Sequence, residues 1–563
     1  MYDVIIIGAG IVGCAVARAL SRYDLRILVI EKGADVAVGA TKANSGILHA
    51  GYDCAPGSLK AEMNVRGLQL YKTLVQELAI PHRMNGSLVV STADAAGNGA
   101  SEAGAVGLDK LRALYEQGLA NGVEGLELLD AAQAHALEPN LHPSVNGALR
   151  ASTAGIISPY EAAIAFAESA AINGVEFLLE STVTAVRTSP QIPNYMLSPI
   201  CREQTYLKVS TVRPSLGYSS PEEFAAYVVI NAAGIDSGVV ANRFELSEYD
   251  IFGDRRVETP PERLSQYTIH PQRGQYYLLD NTQRDLITHT VFQLPTHKGK
   301  GVLIAPTVDD NVLLGPTAEA IDDAQYESDP SATETTRDGL AEALDKARLT
   351  LAHVPISDRI TAFAGIRAKH SGGDFILEET QHGFFHAVGI DSPGLTAAPA
   401  IAERLAEMVL ARLEQLALDA PPDVYVPDFR QVPKLRTDFV ARRDPITRLR
   451  DLPPDAQARL VAANPAYGSV VCRCETVTQA EITEAMRRFA ALQAKHIVCR
   501  VPRPIPANLD AIKRRCRAQM GRCQGGFCTV RLVELIAREY GLPETAVTKN
   551  GFGTTITPAE VNK

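Results

Sequence analysis

Apolar and polar positions change period along the chain, and the changes mark out elements. Asp3 to Ile7 is a short continuous apolar run that reads as a buried strand. It breaks at Gly8-Ala9-Gly10-Ile11-Val12-Gly13 into an alanine-rich stretch, Cys14 to Leu20, with helical spacing. A second apolar run, Arg26 to Ile30, ends on Glu31. Strand, glycine turn, helix, strand and acid make a complete βαβ unit. Glu180 to Arg187 and Ala226 to Asn231 predict later strands of the same sheet, the second passing through Asn231-Ala232-Ala233-Gly234 into another helix. His386 to Gly389 repeats the pattern, and Ile390-Asp391-Ser392-Pro393-Gly394-Leu395 opens a helix that runs from about Thr396 to Leu413.

Between these segments, strand-like runs at Tyr276 to Leu279, Val302 to Ala305 and Val312 to Leu314 suit a second domain built on a mixed sheet. Ala93 to Gly107 is rich in small residues and reads as a loose surface loop. From Asp419 to Pro465 the chain is rich in proline and arginine with weak periodicity, which predicts an extended connector with one or two short helices. The expected class is α/β: a discontinuous Rossmann-like nucleotide-binding domain, a mixed-sheet substrate domain and a small helical cysteine domain. The expected boundaries are 1–415 for the first two together, with nucleotide segments near 1–90, 150–240 and 355–415 and substrate segments near 91–149 and 241–354. A linker (416–467), the cysteine domain (468–542) and a tail (543–563) follow.

The chain has 563 residues, beyond the roughly 250 to 300 at which a single core stops growing, so several domains are required. Apolar residues at 46% and charged residues at 21% exclude a mainly disordered chain. A formal net charge of -10 argues against a nucleic-acid binder. No basic region precedes the first apolar run, and no stretch reaches the ~18 apolar residues of a membrane span, which points to a cytoplasmic protein, at most peripheral to the inner face of the membrane.

The three glycines of the first turn have separate jobs. Gly8 permits the tight turn, Gly10 lets the backbone approach a pyrophosphate, and Gly13 lets the helix pack closely on the sheet. Glu31, 18 residues after Gly13 and followed by Lys32, stands where an acid accepts hydrogen bonds from a ribose. These features mark a dinucleotide site and leave FAD and NAD both open.

The next stretch, Gly39-Ala40-Thr41-Lys42-Ala43-Asn44-Ser45-Gly46-Ile47-Leu48-His49-Ala50-Gly51-Tyr52, together with the βαβ unit, resembles the FAD-dependent oxidoreductases of the D-amino-acid oxidase superfamily. The likeness is nearest to their glycerol-3-phosphate dehydrogenase and L-2-hydroxyglutarate oxidase branches and spans roughly residues 1 to 410. It implies FAD as cofactor, with Thr41, Asn44 and Ser45 near the flavin and His49 at its reactive face. It also implies a second phosphate-side turn at Gly234, a backbone contact to adenine at Val183, and a loop over the flavin's pyrimidine edge through Gly389, Gly394, Leu395 and Thr396.

Oxidising a secondary alcohol by flavin needs a base for the hydroxyl proton and cationic groups for the substrate's anionic end. His49 suits the base because an imidazole titrates near neutrality. Arg367, in Gly365-Ile366-Arg367, resembles the family's arginine for a substrate phosphate or carboxylate, and Arg273 resembles a further active-site position. Tyr52-Asp53 departs from the arginine and tyrosine expected after these glycines in membrane-bound aerobic glycerol-3-phosphate dehydrogenases. The small anionic substrate is read as sn-glycerol 3-phosphate, and the departure at Tyr52-Asp53 keeps L-2-hydroxyglutarate, or an amine or amino acid, as the alternatives on the same scaffold.

Nine cysteines are unevenly spread: Cys14, Cys54 and Cys201 are scattered, while six crowd the C-terminal region. In a reducing compartment such crowding points to metal before disulfides. Cys472-Arg473-Cys474 and Cys523-Gln524-Gly525-Gly526-Phe527-Cys528, with 48 residues between the inner cysteines, can supply four thiolates to zinc or to an iron-sulfur cluster. The glycine-rich loop and the cations Lys513, Arg514, Arg515, Arg517 and Arg522 suit a negatively charged cluster. The segment resembles the bacterioferritin-associated-ferredoxin-like 2Fe-2S domain of anaerobic glycerol-3-phosphate dehydrogenase large subunits. That resemblance implies electron delivery to a partner subunit or to a quinone- or dye-type acceptor. Cys499 and Cys516 fall outside the pattern and read as buried thiols.

Overall fold

The computed structural model describes residues 1–92, 100–190, 205–213, 218–242, 244–245, 267–295, 301–322, 326, 333–380, 383–418, 432–493 and 505–556. Five parallel strands form the heart of the first sheet, in the order Glu176–Leu178, Ile27–Ile30, Tyr2–Ile7, Tyr218–Asn231, Phe384–Val388. Their apolar runs are continuous because both faces are covered. Val4, Ile6, Ile27 and Val29 pack under the helices Ile11–Leu20, Pro159–Ile172 and Gly394–Leu418. The alternate residues Ile5, Ile7, Leu28 and Ile30 meet Val183, Val186, Leu207 and Val209 on an antiparallel extension of the same sheet, Thr182–Pro190 and Thr205–Arg213.

The second sheet is mixed. Ile269–Leu279 pairs with Arg359–His370 along its whole length and continues through Val312–Gly315, Leu303–Pro306, Thr290–Gln293, Ser87–Thr92 and Val145–Ala151. The strand Arg359–His370 thus belongs to the substrate sheet, although its sequence position suggests the nucleotide segment beginning near 355. Its partner lies about ninety positions earlier, and no local pattern reveals that pairing. The expected loop at Ala93 to Gly107 is also revised, since a helix starts at Ala100 and runs to Ala120. Its alanines favour helix, and Leu108, Leu111, Leu114 and Tyr115 give it an apolar face against the second sheet. Residues 93–99 lie outside the described residues.

The C-terminal quarter is strapped onto the nucleotide domain. Arg436 donates to the Asn173 carbonyl at 2.7 Å, Arg443 pairs with Glu168 at 2.6 Å and Arg448 with Glu161 at 2.9 Å. The helices Gln479–Leu492, Leu509–Cys516 and Thr529–Tyr540 follow. Ile482, Phe489, Ile512, Leu532 and Ile536 join the same apolar core as the helix Pro159–Ile172. The tail beyond 542 packs back as well: Val547 is buried and the Phe552 N–H donates to Glu180.

Charge fixes this docking. Asp35 is fully buried and accepts from Arg514 at 2.8 Å and from Arg515 at 2.7 and 2.9 Å. Arg517 reaches Asp309 at 2.6 Å and Glu475 at 2.9 Å, and Arg522 reaches Asp280 at 2.9 Å. Arginines that composition associates with the thiols therefore act mainly as staples to carboxylates, most of them on the flavin side.

Burial alone would raise the Asp35 carboxyl, but the two guanidinium groups outweigh it and hold it below its ordinary value. Hydrogen bonds from Arg522 hold Asp280 at about 2, down from 3.8. A carboxylate whose folded value is depressed stabilises above its unfolded value and loses that contribution as pH falls through the folded value. Thermal melts are therefore expected to show the docking failing as pH drops from about 4 towards 2. Asp35→Ala, which leaves Arg514 without its carboxylate and Arg515 with only Glu168 at 3.9 Å, is expected to cost about 3–5 kcal/mol at neutral pH. A melting temperature unchanged by Asp35→Ala would contradict the staple.

Candidate active site

A cleft of about 1440 Å³ opens at the carboxyl ends of the parallel strands and is roofed by the second sheet. Ligand sites commonly span roughly 300–1,000 Å³, so this one has room for a dinucleotide and a small substrate together. At its base, Gly8 has φ +102°, and a Cβ there would stand 2.5 Å from the Ala232 carbonyl oxygen. A Cβ on Gly13 would stand 1.9 Å from the Gly8 carbonyl oxygen, which is the close helix-to-sheet packing expected of the third glycine. Gly10 lines the cleft, and the Ile11 N–H donates to Thr41 Oγ1 at 3.0 Å. Glu31 is buried and accepts from the Ala9 and Gly33 N–H groups, both at 2.7 Å; burial pushes its carboxyl above the ordinary value. Lys32 pairs with Asp236, next to Gly234, and all three line the cleft.

The loop through Asn44 braces itself. Asn44 Nδ2 donates to the Thr41 carbonyl at 2.9 Å, and Asn44 Oδ1 accepts from the Gly46 N–H at 2.8 Å. Beyond it, the His49 N–H donates to Thr396 Oγ1 at 2.9 Å, and its carbonyl accepts from Asn64 at 3.0 Å. The His49 residue is 8% exposed, lines the cleft, and its ring lies 5.5 Å from that of Phe292. Thr396 also donates to the Ile47 carbonyl at 3.2 Å, so it bridges the helix Gly394–Leu418 to the His49 strand and does not itself line the cleft. Gly394 and Leu395 do line it, as do Thr41, Asn44 and Ser45. Gly389, with φ +70°, sits behind the wall against His370.

The two candidate arginines separate. Arg367 lines the cleft, and its Nη1 donates to Gln272 at 3.2 Å, directly across the ladder. Arg273 is one residue further along the neighbouring strand, so its side chain takes the opposite direction and chelates Glu319 at 2.7 and 2.9 Å. It does not line the cleft, and its expected place there is corrected. Val183 does not line it either; its side chain lies in the core between the sheet and its antiparallel extension. Residues that sequence reasoning missed include Lys60, which lines the cleft and pairs with Asp391 at 2.6 Å, and Tyr276, stacked on Phe363 at 4.7 Å. These are long-range contacts with no local sequence signal.

The four cysteines converge in pairs. Cys472 is set near Cys528, and Cys474 near Cys523. The contact with Cys528 holds the Cys472 thiol down at about 6 and pushes Cys528 well up. Main-chain N–H groups of Glu475, Gln519, Gly525 and Phe527 point at these sulfurs. A Cβ on Gly521 would meet the Cys474 Cβ at 2.4 Å, so the loop closes tightly over the thiols. Cys472 and Cys528 are buried, whereas Cys474 and Cys523 are exposed. Among the described residues no group of three or more His, Cys, Asp or Glu side chains has a metal-holding arrangement. The thiols thus meet as two pairs with main-chain donors aimed at their sulfurs. Cys516 is a buried thiol, and Cys499 lies outside the described residues.

Residues 3–408 match the family model described as FAD dependent oxidoreductase. The chain is 35% identical to a glycerol 3-phosphate dehydrogenase of Caloramator mitchellensis, over 99% of this chain and 98% of the relative. It is 28% identical to a glycerol 3-phosphate oxidase of Mycoplasma pneumoniae, over 71% of this chain and 92% of the relative. A solved structure of the dithionite-reduced L-alpha-glycerophosphate oxidase of Mycoplasma pneumoniae with FAD bound superposes with a TM-score of 0.61 at 25% identity, covering 78% of this chain and 98% of that one.

Gly13→Ala is expected to yield protein purified with little or no flavin, measured by absorbance of the cofactor released on denaturation. Full flavin content in that variant would contradict the packing of the turn.

Proposed function

The chain belongs to the family of FAD-dependent oxidoreductases and acts on a CH–OH donor, and on that premise we propose that it oxidises sn-glycerol 3-phosphate to dihydroxyacetone phosphate. The observation that carries this reading is the opening of His49 and Arg367 into one cleft, in a chain matched end to end by a relative called a glycerol 3-phosphate dehydrogenase. Gly8, Gly10, Glu31, Lys32, Gly234 and the loop from Thr41 to Ser45 would hold FAD, which when bound supplies the hydride acceptor.

The protein's own residues do the rest. Arg367, aligned by Gln272, offers its planar fork to two oxygens of the substrate's phosphate. A ring nitrogen of His49 takes the proton of the reacting hydroxyl. Anchoring of the His49 main chain by Thr396 and Asn64 sets where that ring stands. Phe292 and Tyr276 supply apolar wall that limits water around the transferring hydrogen.

Cys472, Cys474, Cys523 and Cys528 would hold a 2Fe-2S cluster, which supplies a one-electron outlet near the surface at Cys474 and Cys523. The recipient would be a protein subunit or a quinone- or dye-type acceptor. Support comes from the span of the relatives: the one named a dehydrogenase is matched over 99% of this chain, the one named an oxidase over only 71%. Among the described residues no helix is long and apolar enough to cross a membrane. The proposed setting is the cytoplasm, with membrane contact at most peripheral.

A 2-hydroxy dicarboxylate such as L-2-hydroxyglutarate would meet the same arginine and histidine, so the two are compared directly. Under anaerobic conditions sn-glycerol 3-phosphate is expected to bleach the flavin and L-2-hydroxyglutarate to leave it oxidised. The reverse pattern would replace the substrate, and bleaching by neither would overturn the reading. His49→Ala is expected to keep its FAD and lose about 10²–10⁴-fold in turnover. Cys523→Ser is expected to stop delivery to an external acceptor while the flavin is still reduced by substrate. Continued acceptor reduction in that variant would make the cysteines structural.

A further inference from the structure

A second cavity, of about 400 Å³, lies on the other side of the flavin-side loop. The wall between the two cavities is thin and continuous. It is made by Ala43 to Gly46 and by Ala362 to Ala364, and a Cβ on the adjoining Gly365 would stand 2.0 Å from the Ala43 carbonyl oxygen. The far walls come from the C-terminal module, through Lys513, Arg514, Met520 and Gln524. The cavity is therefore shared between the two halves of the protein, and its volume falls within the range of small-molecule sites.

Its lining is divided in character. Ile156, Leu278, Leu313, Phe363 and Met520, drawn from separate elements, make an apolar body. Lys42, Lys513, Arg514 and Lys549 gather at one side. Lys549 is paired with Asp510 at 3.0 Å, and Arg514 Nη2 with Asp35 at 2.8 Å. Arg514 Nε, on a residue 4% exposed, is buried without a hydrogen-bond partner, and among the described residues no carboxylate pairs with Lys42 or Lys513. Burial pulls the Lys513 ammonium below its ordinary value, and Lys549, Arg514 and Arg517 pull the same way, with Asp510 opposing. The contrast is between these two lysines, Lys42 and Lys513, and the arginines of the junction, since Arg443, Arg448, Arg514, Arg515, Arg517 and Arg522 each have a carboxylate. Asp309 and Asp510 also line the cavity, but both are engaged, Asp309 by Arg517 and Asp510 by Lys549, and cations gathered in excess of their counter-charge are costly unless an anion completes them.

We propose that this cavity binds a small amphipathic anion, whose apolar body packs against Leu313 and Phe363 and whose carboxylate or phosphate meets Lys513 and Arg514. Glycerol 3-phosphate lacks the apolar body, so the ligand is not the substrate of the neighbouring cleft. Because the walls come from both halves, occupancy clamps the cysteine module to the flavin-side loop. The inference goes beyond the proposed reaction and stands independently of it.

The test is isothermal titration calorimetry on the full chain saturated with FAD, using decanoate, decyl phosphate and decanol as probes. One saturable site for decanoate or decyl phosphate is expected, the tighter of the two identifying the head group, with decanol about tenfold weaker or worse. Lys513→Gln is expected to weaken the anion about tenfold, and Val308→Trp, which fills the cavity from a partly exposed position, to abolish binding. Decanol binding as tightly as decanoate, or unchanged anion affinity in both variants, would overturn the proposal. So would binding only to the FAD-free protein, which would make the cavity a lobe of the flavin site.

Discussion

Of the carboxylates that join the two halves of this molecule, Asp35 is the most deeply buried among the described ion pairs. Asp35 lies on the turn that begins at Glu31, and it is gripped by Arg514 and Arg515 from the far end of the chain. Taking three charges out of water is expensive, and such a cluster contributes little net stability compared with an apolar contact of the same size. Its value lies in geometry, because only one docking satisfies all three groups. The turn carrying Glu31 to the nucleotide cleft also carries Asp35 to the cysteine module, so the cleft and the thiols are positioned by one short segment. The pairs Arg517–Asp309 and Arg522–Asp280 extend that control to the second sheet.

Where a function is written in local periodicity, the sequence was readable. The first βαβ unit, the separate duties of Gly8 and Gly13, and the place of Glu31 all follow from a continuous apolar run, a glycine turn and an acid at the next strand end. The two cysteine motifs were likewise visible as spacing, although the fold sets Cys472 against Cys528 and Cys474 against Cys523, across the motifs. What escaped depends on register between distant strands. Arg367 and Arg273 are chemically identical candidates, yet Arg367 faces Gln272 across the ladder and Arg273 faces Glu319. A strand alternates its side chains, so adjacent positions go to opposite faces, and which face meets the cleft is decided by a pairing partner about ninety residues away. Asp35 was invisible for the same reason, since nothing in its neighbourhood announces two arginines near residue 515.

The arrangement gives the chemistry a direction. His49 and Arg367 open into a cleft at the carboxyl ends of the parallel strands, where open α/β sheets place their ligands, and there the proposed reaction would bring substrate and flavin together. The module docks on the same edge with Cys472 and Cys528 inside and Cys474 and Cys523 towards solvent. Arg473 stacked over Phe527 at 4.6 Å borders that exposed pair. The proposed onward passage of electrons would run from the cleft to these thiols, and the ion pairs of Asp35, Glu168, Asp309 and Asp280 fix how the module sits against it.

The most direct measurement is electron paramagnetic resonance of the anaerobically purified, FAD-saturated protein before and after sn-glycerol 3-phosphate, with metal and labile sulfide determined on the same sample. The expected result is iron and sulfide in equal amounts and a reduced-cluster signal that appears only when substrate is added. Zinc in place of iron, or a bleached flavin with no such signal, would contradict the link between the cleft and the cysteines.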